Sequence, residues 1–224
     1  MTDFPGLPMT PADLSFALLY AALTFVIGGI PFSVLLGRFA LGVDIRQVGD
    51  GNPGATNVAR AGGKGWGALA VLLDGFKAVI PVSVAYYGLG ISGPGLLPIA
   101  LAAPLGHAYS PFLGFRGGKA IASIAGAWTG LTGFEAPLVM ALALVLAHRT
   151  LDADGWSAVF MLLGLLPYLL IRNLFITDLI PMVAATTGWF LLIWAGHLGL
   201  VVWKHRAELG RLPRLRTSNK RWRV

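Results

Sequence analysis

Apolar runs recur along almost the whole chain and limit its fold more than any other feature: Phe16 to Leu36, Ala68 to Leu89, Leu96 to Leu113, Ile121 to Ala147, Ala158 to Ile171 and Ile180 to Trp203. Most are near the roughly 20 residues that a helix needs to cross a bilayer. A composition 56% hydrophobic and only 12% charged is rare among soluble domains. The expected fold is therefore an all-α, polytopic membrane helix bundle. Residues 1–224 read as a single integral membrane domain with a basic tail over 204–224, and no second domain or linker is visible. No Lys or Arg precedes Arg38, so the basic region of a cleaved signal peptide is missing and the first helix is expected to stay.

Charge decides how many times the chain crosses. The run Ile121 to Ala147 contains "GLTGFEAPL", where Gly130, Gly133, Glu135 and Pro137 are turn chemistry and a carboxylate in lipid is costly. Splitting the run there predicts about seven spans and gathers 15 of the 17 basic residues on one side. By the positive-inside rule that side is cytoplasmic, with the amino terminus outside and the tail inside. The expected location is the inner (plasma) membrane, multi-pass. The net charge of +7 reads as orientation and contact with anionic lipid rather than as a nucleic-acid site.

Against this oily background stands "DGNPGATNVARAGGKG", Asp50 to Gly65. Gly62-Gly63-Lys64 and Gly117-Gly118-Lys119 each precede an apolar helix on the predicted cytoplasmic side. Glycines there expose backbone amides at the positive end of a helix dipole, an arrangement that suits phosphate, and a lysine adds charge. The spacing is not that of a Walker loop, because Val58 and Leu113 stand where that motif needs glycine. Glycines that merely end loops between close-packed membrane helices account for the two loops equally well. His107 and His205 fall on the same side as the two loops and favour a site. Asp74 and Lys77, three apart on one helix, are expected to be a buried structural pair beneath it.

Other chemistries are excluded. Cysteine is absent and the four histidines are scattered, so disulfides, thiolate chemistry and a metal cluster are not expected. An H-x4-D acyltransferase pair fails at His148, where Asp152 comes one residue too early, and at His205, where Gly210 stands at the required place. The multi-aspartate site of membrane alcohol phosphotransferases fails for want of clustered acids. An anion transporter would need an inverted repeat or paired interrupted helices, and neither is seen.

With these residues in place, the chain resembles the acyl-phosphate-dependent glycerol-3-phosphate acyltransferases of bacteria (PlsY type). The family pattern G-S-G-N-x-G-A-T-N-x-x-R, followed by G-x-K-x-G and D-x-x-K, is matched by "GDGNPGATNVARAGGKGWG" with Asp74 and Lys77. The pattern G-H-x-F-x-x-F-x-x-F-x-G-G-K-G is matched by "GHAYSPFLGFRGGKA", and R-H-R-x-N-I by "KHRAEL". The resemblance implies transfer of a fatty acyl group from acyl phosphate to glycerol 3-phosphate or a related acceptor, in phospholipid biosynthesis. It implies no cofactor or metal, membrane lipid as surroundings, and an active site facing the cytoplasm.

The candidate substrate-binding residues are Asp50, Asn52, Gly54, Thr56, Asn57, Arg60 and Lys64 in the first loop, and His107, Arg116, Gly117, Gly118 and Lys119 in the second. His205 and Glu208 are the candidate catalytic residues. By resemblance, Arg60, Lys119 and His205 meet the phosphates or the developing oxyanion, while Asn52, Thr56 and Asn57 hold the loop's own backbone. Glu208 is expected to orient His205 or to accept the acceptor's hydroxyl proton. The chain departs from the family at Asp50, Glu208 and Ala120, where serine, asparagine and glycine are usual. Two added carboxylates in an anion site fit a second reading, a paralogue that binds anionic lipid or lysophospholipid without turnover.

Overall fold

The computed structural model describes residues 10–176 and 181–216, with side chains described over 10–172 and 188–216. Among these residues ten α-helices follow in order: α1 Pro11–Gly29, α2 Phe32–Ala40, α3 Ala55–Gly62, α4 Lys64–Ser83, α5 Gly93–Ala108, α6 Ile121–Thr132, α7 Glu135–Thr150, α8 Asp154–Ile176, α9 Pro181–Lys204 and α10 Arg206–Leu209. Helical periods run through the apolar segments, and breaks fall where the chemistry of the backbone changes. "TPAD" starts α1 as a capping box: the Thr10 hydroxyl accepts from the Asp13 amide, the Asp13 carboxylate accepts from the Thr10 amide, and Pro11 follows. Gly133, at φ +65, ends α6, and α7 begins two residues later at Glu135. The long run from Ile121 is thus two helices.

Four segments among the described residues are long and apolar enough to cross a membrane: Pro11–Ala40, Lys64–Gly88, Gly93–Leu113 and Asp154–Arg172. Their outward faces are oily, with Leu18, Leu19, Leu23, Leu72, Phe76 and Ile80 all exposed. In water such a surface would be a liability, whereas lipid tails meet it without cost.

Helix α5 is the hub and packs against α1, α4, α6 and α9. Small residues make this possible. A Cβ at Gly106 would lie 2.0 Å from the Phe25 carbonyl oxygen, and one at Gly28 would lie 2.3 Å from that of Ala103. A Cβ at Gly126 of α6 would similarly meet the Gly75 carbonyl of α4 at 2.2 Å. Backbone-to-backbone approach of this kind replaces the hydrophobic drive that is missing between helices in lipid. Larger side chains fill the centre, where Trp128 meets Phe190 edge to face at 5.9 Å.

The first apolar run breaks at Ile30–Pro31, because proline cannot donate into the helix. The freed carbonyls are answered from elsewhere in the bundle. Ser110 Oγ donates to the Gly29 carbonyl at 2.6 Å, and Lys77 Nζ donates to that of Ile30 at 2.9 Å. Asp74 accepts from the same lysine at 2.8 Å and from Ser33 Oγ at 2.7 Å. All four polar side chains involved are buried. Asp74 and Lys77 therefore do structural work, tying α4 to the α1–α2 break and, through it, setting the start of the loop at 41–54.

Gly106→Val is expected to cost about 3 kcal/mol or more, since backbone on the facing helix cannot yield. Gly199→Ala, with no atom within 4 Å of the new Cβ, is expected to leave stability within about 0.5 kcal/mol. Thermal unfolding in detergent, followed by size-exclusion chromatography, compares the two directly.

Candidate active site

Three polar segments meet at one end of the bundle: the loop before α3, the loop before α6, and the junction of α9 with α10. The first is built around Asn57, 1% exposed in the first turn of α3. Its Nδ2 donates to Asp50 Oδ1 and to the Asn52 carbonyl, both at 2.9 Å, and its Oδ1 accepts from Arg60 at 2.9 Å. Asp50 also receives the Asn52 amide at 3.1 Å. Gly49 sits at φ +62, and a Cβ there would fall 2.1 Å from the Arg60 guanidinium, so glycine is required both for the turn and for the arginine lying over it. Gly54 caps α3 without a side chain, while Thr56 and Arg60 are exposed at the surface.

The second loop behaves differently from expectation. The Gly117 amide donates to the Ala108 carbonyl at 3.1 Å and the Gly118 amide to that of His107 at 3.0 Å. A Cβ at Gly117 would stand 2.0 Å from the His107 carbonyl oxygen, and one at Gly118 would stand 2.4 Å from His107 Nε2. These glycines exist so that the loop can lie flat on the end of α5. Their amides are committed there, which corrects the expectation that they face a ligand. His107 is correspondingly placed beneath the loop, with Nδ1 3.6 Å from Asp74 Oδ1. Ala120 adopts φ +63, a left-handed conformation that glycine adopts freely and alanine does not.

Lys119 joins all three segments. Its Nζ lies 2.6 Å from Glu208 Oε1 in α10 and 3.3 Å from Asp50 Oδ2 in the first loop. Burial works against the Asp50 carboxylate, but the Asn52 amide, Asn57 and Lys119 outweigh it and hold its pKa below the usual value. Burial also opposes the charge on Lys119, yet Glu208 and Asp50 together raise its pKa above that of an ordinary lysine. The cluster is two carboxylates around one ammonium.

His205, 2% exposed, follows the last residue of α9. Its Nδ1 lies 2.9 Å from the Val201 carbonyl oxygen. A carbonyl can only accept, so Nδ1 carries the proton and Nε2 is left as the basic nitrogen. Burial dominates over that bond and over Glu208, and lowers the histidine's pKa below 6.5. Glu208 does not orient the ring, as expected from its spacing, because its side chain is drawn across to Lys119 instead. Arg206 turns away, stacking at 4.6 Å on Trp203.

Not every expected residue joins the cluster. Lys64 and Arg116 are exposed and make no ion pair among the described residues. Two unexpected ones do contribute. Lys204 Nζ donates to the carbonyls of Ala108 at 3.0 Å and Gly117 at 3.3 Å, pinning the second loop to α9. Gly155, in the first turn of α8, leaves room for Glu208: a Cβ there would be 2.9 Å from its Oε2 and 3.2 Å from the His205 Cβ. The signal for Lys204 was its place beside His205 at the end of an apolar run. Gly155 left no signal.

The glycerol-3-phosphate acyltransferase family model matches residues 18–214 of this chain. The chain belongs to that family. A glycerol-3-phosphate acyltransferase of Anaeromyxobacter sp. (strain Fw109-5) is 41% identical over 219 residues, covering 95% of this chain and 100% of that protein. One of Gluconobacter oxydans (strain 621H) is 36% identical over 204 residues, covering 90% and 94%. Among solved structures, PlsY (YgiH), an integral membrane glycerol 3-phosphate acyltransferase in its glycerol 3-phosphate form, superposes with a TM-score of 0.72. It is 29% identical and covers 88% of this chain and 91% of its own. The lysophosphatidic acid form of the same protein also scores 0.72, at 28% identity.

Within this family the alanine at position 120 makes a local prediction. Ala120→Gly relieves a left-handed alanine and is expected to stabilise the protein by about 1 kcal/mol. A rise in unfolding temperature in the same detergent checks it.

Proposed function

We propose that this acyltransferase family member transfers a fatty acyl group from acyl phosphate to glycerol 3-phosphate, at the cytoplasmic end of a seven-span bundle in the inner membrane. The observation that carries this reading is the meeting of the Arg60 loop, the Lys119 loop and the α9–α10 junction that holds His205, linked through Asn57, Asp50 and Glu208, at the end of the bundle where an apolar groove reaches Tyr109 and Trp203. That groove, about 450 Å³, runs between α5 and α9 and is lined by Leu101, Leu105, Tyr109, Gly196, Leu200 and Trp203. Its upper end is marked by Tyr109, over whose ring Lys204 sits at 5.1 Å. An acyl chain in the groove brings its reactive carbonyl to the polar cluster, and phosphate on Lys119 and Arg60 holds it there.

The chemistry follows from the groups present. A hydroxyl oxygen of glycerol 3-phosphate attacks the acyl carbonyl carbon and its proton goes to His205 Nε2. The carbon–oxygen bond to phosphate then breaks and inorganic phosphate leaves with its electron pair, giving lysophosphatidic acid. Lys119 and Arg60 oppose the negative charge that gathers on the carbonyl and leaving oxygens. Positioning and charge stabilisation supply most of the rate.

Topology rests on charge. The gathering of basic residues at the site's end supports a cytoplasmic face. Among the described residues at the far end, Arg172 Nε lies 3.7 Å from Glu135, which also accepts from Tyr168.

The Lys119 geometry also bears on the acceptor. Asp50 and Glu208 already neutralise Lys119, so an incoming phosphate has to compete with both. Incubating purified protein with palmitoyl phosphate and radiolabelled glycerol 3-phosphate is expected to yield lysophosphatidic acid, with a high KM for the acceptor. Asp50→Ser combined with Glu208→Asn is expected to lower that KM about tenfold, equivalent to roughly 1.4 kcal/mol of relieved repulsion. Lys119→Ala should reduce kcat/KM by about a hundredfold or more. No product from the wild type, with tight binding of lysophospholipid retained, would instead identify a protein that binds without turnover.

The depressed pKa of His205 fixes the sign of the pH dependence. As pH falls through that value Nε2 is protonated and no longer accepts, so kcat/KM is expected to drop on the acid side with a midpoint below 6.5. Initial rates between pH 4.5 and 8, corrected for substrate ionisation, provide the measurement.

A further inference from the structure

A second apolar groove lies away from the candidate active site, on the outer face between α7 and α8. It measures about 440 Å³, and Ala143, Leu146, Leu151, Phe160, Leu163 and Gly164 are among its lining residues. Ala143 and Gly164 form its floor, where a Cβ on the glycine would come within 2.7 Å of the alanine methyl. Leu146, Phe160 and Leu163 remain exposed along its walls.

What lies over the end of this groove sets it apart from an ordinary lipid-facing crevice. After α10 the chain runs back as an extended strap and pairs with the α7–α8 turn: Leu215 bridges Leu151, the Asp152 amide donates to the Arg214 carbonyl at 3.1 Å, and the Arg216 amide donates to that of Thr150 at 2.7 Å. Trp156, one turn before Phe160 in α8, donates its indole N–H to the Arg211 carbonyl at 2.8 Å. The strap's backbone thus brings Arg211 and Arg214 to the α7–α8 turn and the start of α8, while Arg149 lies in the last turn of α7, three residues beyond the groove-lining Leu146 and so on the same helix face. These three arginines are exposed and make no side-chain ion pair among the described residues. Two acids share the turn, Asp152 and Asp154, and Asp154 is engaged by His148 at 3.4 Å, so the three arginines leave the patch positive. Leu212 and Leu215 in the strap are 85% and 77% exposed. Arginines interleaved with exposed leucines and a tryptophan are the composition of a membrane–water interface.

An apolar groove whose end adjoins a turn and strap carrying three exposed arginines fits one class of ligand. We propose that the α7–α8 groove and the strap form a binding site for an anionic glycerophospholipid, separate from the candidate active site. Its phosphate lies on Arg149, Arg211 and Arg214, and one of its acyl chains lies against Leu146, Phe160 and Leu163. Guanidinium groups suit this role because their planar donors meet phosphate oxygens in pairs. The site also adjoins the candidate active site through the first turn of α8, where Gly155 faces Glu208 and its neighbour Trp156 holds the strap.

The chain has no cysteine, which makes single-site labelling clean. Leu142→Cys, at the lip of the groove, carries a fluorophore in bilayers containing brominated phosphatidylglycerol or, at equal mole fraction, brominated phosphatidylcholine. A second label at Leu19→Cys, on the lipid-facing side of α1, reports the bulk bilayer. Brominated phosphatidylglycerol is expected to quench the groove label with about fivefold or greater preference, as expected for arginines near an anionic headgroup. The α1 label should show none. Replacing Arg149, Arg211 and Arg214 together by glutamine should bring the preference to one while quenching by phosphatidylcholine persists, which also shows that the groove is intact. Equal quenching by both lipids in the unsubstituted protein overturns the proposal, as does a preference that survives the triple substitution. Absence of quenching by either lipid means that protein covers the groove and overturns it too.

Discussion

Wherever a helix ends inside an apolar bundle its last carbonyls need donors, and the way this chain meets that need organises the rest of the molecule. At the α1–α2 break the carbonyls of Gly29 and Ile30 are met by Ser110 and Lys77. At the end of α5 those of His107 and Ala108 are met by the amides of Gly118 and Gly117, and Ala108 also receives Lys204. The side-chain bonds among them cross between residues 47 to 96 apart in sequence, while the two amide bonds fold the next loop back onto the end of α5. Together they bring the loop after α2, the loop before α6 and the end of α9 to one end of the bundle, and that convergence is the candidate site.

The electrostatics of the site are a consequence of the same geometry. Lys119 projects from a loop whose backbone is already fixed on α5, so its ammonium falls between Asp50 and Glu208. In a family whose substrates carry phosphate, two carboxylates on the shared lysine are a local cost. Here both carboxylates are already engaged: Asp50 accepts from two amide donors besides the lysine, and Glu208 makes a 2.6 Å ion pair. The arrangement is an ion-pair cluster partly open to water. Such pairs contribute little to stability, about 0–1 kcal/mol, and their larger effect is on which anion can take the lysine from them.

The strap after α10 extends this logic to the membrane surface. Its backbone pairs with the α7–α8 turn, so its leucines and arginines are presented outward. The last turn of α9, α10 and the strap therefore form one continuous segment that touches first the candidate site and then the groove between α7 and α8.

Much of this was legible in the amino-acid order because it depends on local chemistry. Apolar runs of bilayer length, the turn at Gly133, and the loop held together by Asn57 follow from residue type and spacing alone. The motifs around Asn52, His107 and His205 likewise marked the segments that meet. What residue spacing could not show was where each polar atom is spent. The amides of Gly117 and Gly118 suit a phosphate until α5 ends beneath them and takes both. Glu208 shares a helix face with His205 until Lys119, 89 residues away in sequence, draws it across. Gly155 and Lys204 join the site only because α8 and α9 pack there. Spacing along one helix defines what a side chain can reach, but the choice among partners is made by distance and burial in the assembled bundle, and those exist only in the tertiary structure.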